Sequence, residues 1–99
     1  MRIDNTEVKK AVIRLLEITN GGTGSSAAAA YTLLSAYDSF CYALPLAGLG
    51  LLDLDAMNCA LIVILTRHQH HEPHEFIPDG AIVFQRLAKN WPANLKRAA

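Results

Sequence analysis

Apolar positions fall into four blocks along the chain, separated by polar stretches or by stretches marked with glycine and proline. The longest block runs from Asp55 to Thr66, and between Cys59 and Leu65 it carries no polar side chain on any face. An element of that kind must be covered from several directions. Buried strands and buried helices look alike over seven residues, so the flanks decide. Asp53 or Asp55 can cap a helix by accepting from first-turn N–H groups. The block continues through Arg67 and His68, whose charges suit a helix C-terminus. No other stretch shows the period-two alternation of a strand partner. The pattern predicts a buried central helix over 55–68.

The other blocks are more amphipathic. Asp4 and Glu7 make a variant capping box, and Ile3 with Val8 a hydrophobic staple, ahead of the stripe Val8, Val12, Leu15 and Leu16. Asn20-Gly21 stops this helix, since both residues accept the left-handed conformation. Ser25 or Ser26 can cap the next one, where Ala27 to Ala30 favour helix strongly and let a neighbouring backbone approach closely. Ser39 to Leu52 is irregular, with one helical turn expected after Pro45. His70 to Pro78, interrupted by Pro73, reads as a loop. Asp79 is then expected to cap a last helix with the stripe Val83, Phe84, Leu87, Ala88 and Trp91, ended by Pro92. The sum is all-α: a compact bundle of about four helices forming a single domain over 1–99, with 93–99 as a fraying tail.

Composition narrows the function classes. Of 99 residues, 52% are hydrophobic and only 18% charged, which excludes a disordered chain. A domain this small leaves some of that apolar surface outside, and a homodimer would cover it. The formal net charge is zero, which disfavours nucleic-acid binding by phosphate neutralisation. Two cysteines, Cys41 and Cys59, form no metal or redox motif; Cys59 reads as a small core residue, and the low cysteine count fits a reducing compartment. The first residues lack the apolar core of a signal peptide. Pro45, two glycines and two aspartates interrupt the apolar zone from Leu44 to Leu65, so no membrane span is expected. The expectation is a cytoplasmic protein.

Two stretches could carry chemistry. Gly22, Thr23, Gly24, Ser25 and Ser26 precede or open a helix, where backbone N–H groups can receive a phosphate or carboxylate. The loop is not a Walker A motif, because no lysine follows and no strand precedes it. Its structural alternative is a helix stop running straight into a helix start. The second stretch is His68, His70, His71, Glu72, His74 and Glu75, of which His68, Glu72, His74 and Glu75 are the set that could hold zinc. No tight metal signature is present, and a solvated helix end followed by a turn is the plainer reading. No nucleophile elbow or carboxylate pair stands out, and no cofactor is implied. Phe40 and Tyr42 are the candidate contact residues for a protein partner.

The stretch Asn20 to Tyr37 resembles the opening of an uncharacterised family of short bacterial proteins, in which a G-T-G-x-S loop leads into an alanine- and aromatic-rich helix. Leu51-Leu52-Asp53, Pro73-His74-Glu75 and the helix from Asp79-Gly80 to Trp91-Pro92 extend the resemblance over about four fifths of the chain. The apolar Leu44 to Gly50 segment and the His68 to His71 cluster depart from that pattern. Members look like cargo of plasmids and conjugative elements, with no assigned activity. The resemblance implies a small non-catalytic interaction or regulatory protein that binds a host or element-encoded protein. The alternative is a small anion- or metal-dependent enzyme using the Gly22–Ser26 loop or the histidines.

Overall fold

A computed structural model describes residues 4–95, and four α-helices account for most of them: α1 (Asn5–Thr19), α2 (Gly24–Tyr37), α3 (Leu54–His68) and α4 (Gly80–Asn90). Two 3-10 turns, Leu46–Leu51 and Pro73–Phe76, sit within the longer connections. Among the described residues there is no strand. The expected all-α bundle of about four helices is therefore the fold.

Helix α1 begins as its sequence dictates. The Asp4 carboxylate accepts from the Glu7 N–H at 2.8 Å, and Val8, Ala11, Val12 and Leu15 bury one stripe. The staple partner Ile3 lies outside the described residues. The helix ends at Thr19, but the left-handed residue that turns the chain is Gly22, at φ 68°, rather than Asn20 or Gly21.

The centre of the bundle is α2, not α3. Ser26, Ala28, Ala29, Ala30, Thr32, Leu33, Leu34 and Ala36 are all buried, so α2 is covered on most of its circumference, and α1, α3 and α4 all pack on it. Its alanines let the backbones of α1 and α3 approach closely. The one polar side chain deep in its middle, Thr32, donates its hydroxyl to the Ala28 carbonyl at 2.7 Å, so burial leaves it satisfied.

Helix α3 forms where expected, with Asp53 as its cap accepting from the Ala56 N–H at 2.8 Å. Its all-round burial is corrected. Only Ala56, Ala60, Val63 and Thr66 are buried, at the spacing of a single face against α1 and α2. Leu54, Leu61 and Ile64 point outward at 77%, 46% and 42% exposure. An apolar run permits burial on every side but does not compel it, because much of any folded surface is apolar. The alanine-rich helix took the inner place.

At the C-terminal end Phe84 and Leu87 are buried, while Val83, Ala88 and Trp91 pack half-buried against the core. Asp79 occupies the cap position of α4, yet its backbone is left-handed (φ 55°) and its side chain makes no capping bond. The expected carboxylate cap is absent there. Gly80, next in the chain, is buried tightly against the backbone of His74. Within the stretch expected to fray, Asn94 and Leu95 are bonded to the segment after α2. The Asn94 amide brackets Ala43, accepting from its N–H and donating to its carbonyl, both at 2.7 Å, and the Leu95 N–H donates to the Cys41 carbonyl at 3.1 Å. Residues 96–99 lie outside the description. Among the described residues no helix is long and apolar enough to cross a membrane.

Candidate functional site

The glycine-serine loop joins α1 to α2, and its geometry is set by one hydroxyl. Ser26 is 1% exposed. Its Oγ accepts from the Thr23 N–H at 3.1 Å and donates to the Ile18 carbonyl at 2.8 Å, clamping the end of α1 to the start of α2. The cap residue of α2 is thus Thr23, and Ser26 is its reciprocal partner three positions on. The Thr23 and Ser25 hydroxyls share a bond of 2.7 Å, and the Ser26 N–H bonds the Thr23 carbonyl at 3.0 Å. Of the five residues proposed to hold an anion, Gly22, Thr23, Gly24 and Ser25 lie at the surface or near it, whereas Ser26 is fully engaged inside.

This loop borders a cleft of about 330 Å³ lined by Arg14, Ile18, Gly21, Thr23, Ser25, Leu51, Asp53 and Ala56. Arg14 is its cation, but the guanidinium is drawn to Asp55 at 3.3 Å and Glu17 at 3.6 Å. With Asp53 also on the wall, the carboxylates around the cleft offset the single arginine. An anion would compete with them for it.

A second cleft of about 330 Å³ lies between α1 and α3, with Ala11, Cys59 and Ile62 as its apolar floor and Glu7, Lys10, Arg14 and Asp55 at its rim. Sequence reading missed it, since it forms only when residues some 45 positions apart are brought together. Cys59 is half-buried there rather than enclosed in the core. Burial pushes its thiol pKa up, the Asp55 carboxylate adds to the rise, and Arg14 opposes it. A thiol held in its neutral form is a poor nucleophile.

The histidines do not converge. His68 and His70 are exposed at the end of α3, His70 with a left-handed backbone at φ 64°. His71 pairs with Glu75 at 3.1 Å and lies edge-on to Phe76. His74 turns the other way, edge-on to Tyr37 with ring centroids 5.0 Å apart and within 6.3 Å of Phe84. Its Nδ1 is buried with no hydrogen-bond partner, and the nearest Glu72 oxygen is 3.9 Å away. Glu72 also faces Arg67 at 3.9 Å. Among the described residues no three His, Cys, Asp or Glu side chains come together as metal ligands would. His68, Glu72, His74 and Glu75 are therefore not assembled into one site.

The two aromatic candidates separate. Phe40 is 65% exposed, and Tyr42 only 8%. Tyr42 packs on Tyr31 with ring centroids 6.1 Å apart, and its hydroxyl donates to the Trp91 carbonyl at 3.1 Å. Burial raises its pKa, with Cys41, Tyr31 and Asp38 adding to the effect. Tyr31 meets Trp91 edge-on and donates to the Pro92 carbonyl at 2.9 Å. Tyr42 is thus a structural residue that fastens the chain after α4, not a surface contact.

Residues 9–92 match the model of a family of unknown function, DUF7673. No curated protein and no solved structure matches the chain. The matched span runs from within α1 to the proline that follows Trp91, and so takes in most of α1, the other three helices and, Glu7 apart, the lining of both clefts. On that coverage, the chain belongs to the family of unknown function DUF7673.

Proposed function

We propose that this chain is a small non-catalytic interaction or regulatory protein, encoded on a mobile element and acting by binding a host or element-encoded protein. The observation that carries the reading is a run of large apolar side chains left in solvent between the 3-10 turn and α3: Leu46 at 80%, Leu51 at 60% and Leu54 at 77% exposure, with Leu61 and Ile64 exposed further along α3. Apolar side chains left in solvent in such number within one stretch are what a docking partner would cover. Phe40, exposed after α2, is a separate candidate contact residue; Tyr42 is not. The mobile-element origin rests on the resemblance carried by the Asn20–Tyr37 and Asp79–Pro92 segments. The enzyme alternative draws less support, because Ser26 is engaged in tying two helices and the imidazoles point apart.

The test is affinity capture from a bacterial lysate at moderate salt, with wild type beside a Leu46→Glu/Leu51→Glu variant. A stoichiometric protein retained by wild type and lost by the variant is the expected result. Melting raised by nucleotides or zinc, with no protein retained, would overturn the reading in favour of the enzyme.

A further inference from the structure

The outward side chains of α3 repeat with a spacing of three, four, three and four: Leu54, Met57, Leu61, Ile64 and His68. That is the a/d seam of a coiled coil, and here it lies on the face turned away from the bundle. The buried residues Ala56, Ala60, Val63 and Thr66 occupy the opposite side. Leu54, Leu61, Ile64 and His68 are exposed and Met57 half-buried. One helix thus carries two apolar faces, and the fold covers one of them.

The charges at its ends indicate what covers the other. Asp53 and Asp55 stand at the start of α3, and Arg67 and His68 in its last turn. A second α3 laid antiparallel brings each acidic end against the basic end of its neighbour and opposes the two helix dipoles. A parallel copy would set Asp53 against Asp53 and Arg67 against Arg67. In the antiparallel register Leu54 faces Ile64 of the second copy and Met57 faces its Leu61. Exposed Asn58 then falls beside the two-fold axis, where one amide can donate to and accept from the other. Asp53 and Arg67 flank the seam on the same edge, so each meets its opposite across the axis.

We infer that the outer face of α3 is a self-complementary docking surface for a second copy of this chain, forming an antiparallel two-fold dimer about the middle of the helix. The inference rests on the interaction reading above and names the partner for this part of the surface.

Sedimentation equilibrium over a concentration series up to on the order of 0.5 mM, which reaches weak associations, should give twice the 10.8 kDa chain mass. Leu61→Glu should return it to 10.8 kDa with unchanged far-UV circular dichroism, because Leu61 has no place in the core. The orientation is read by disulfide trapping with Cys41 and Cys59 replaced by serine. Leu54→Cys mixed with Ile64→Cys should cross-link to each other, and neither should cross-link to itself. A monomer at every concentration, a dimer indifferent to Leu61→Glu, or trapping of like with like would overturn the proposal. A monomer that still captures the lysate protein of the preceding test leaves the interaction reading standing and removes only self-association. A monomer that captures nothing removes both.

Discussion

Gly80 offers a test in which local propensity and tertiary packing predict opposite signs. It is the first residue of α4, and replacing a helical glycine by alanine ordinarily gains about 1 kcal/mol. Here the added methyl would collide with the His74 carbonyl oxygen and stand 2.7 Å from the carbonyl carbon and 3.1 Å from Cα. Carbon atoms rest about 3.5–4.0 Å apart, and the obstacle is backbone, so the 3-10 turn must retreat by about 1 Å. That retreat pulls the His74 ring off Tyr37 and Phe84, against which it sits edge-on. Overpacking costs about 1–3 kcal/mol, and each disturbed ring contact about 0.5–1.5 kcal/mol. Set against the propensity gain, Gly80→Ala should lose about 1–5 kcal/mol and lower Tm by roughly 5–25 °C for a domain of this length. Urea and thermal unfolding followed by circular dichroism, at one fixed protein concentration, would measure it. Gly50→Ala is the control, since nothing lies within 4 Å of a Cβ there; it should change stability by less than about 0.5 kcal/mol. A Gly80→Ala protein as stable as wild type would refute the reasoning.

Two further outcomes are expected. Ser26→Ala removes both bonds of the hydroxyl that joins α1 to α2 and should cost about 2 kcal/mol by urea unfolding, whereas Ser25→Ala, which loses only its bond to Thr23, should fall within about 0.5 kcal/mol of wild type; equal effects would show that the clamp carries no stability. Because burial raises the Cys59 thiol pKa, the folded state holds that proton more tightly than the unfolded one. The resulting stabilisation is complete below the ordinary thiol pKa of about 8.5 and is lost as pH climbs through the raised value. Cys59→Ala should therefore flatten the decline in stability between about pH 8 and 10, and an identical pH profile for both proteins would count against the effect.

The elements that were legible in the sequence are those whose determinants are local. Asp4 and Glu7 lie three positions apart and make the predicted cap. Pro45 opens a helical turn, and Val83, Phe84 and Leu87 form a stripe that needs only α4 itself. What escaped depends on distant partners. Tyr42 is buried because Trp91 and Tyr31 come to it, and Asn94 is ordered because it finds Ala43. The apolar run of α3 drew attention for its hydrophobicity, yet central position went to the helix with the smallest side chains, since closeness of approach is set by volume. The histidines looked like a cluster because they are neighbours in sequence. A left-handed residue at His70 and the turn from Pro73 send their rings to different sides. At the glycine-serine loop a capping hydroxyl is legible, but the cap is Thr23 rather than Ser25 or Ser26, and Ser26 turns inward as its partner three positions on. That depended on Ile18 presenting its carbonyl to Ser26.

The division of labour between α2 and α3 bears on how such a protein can diversify. Enlarging Ala28, Ala29, Ala30 or Ala36, all buried in α2, would press on the helices packed around it, so those positions are held to small residues by geometry alone. Leu54, Leu61 and Ile64 bear no such burden. Substitutions among them change the outer surface while leaving the packing almost untouched, so that face can vary through single steps without passing through unstable intermediates.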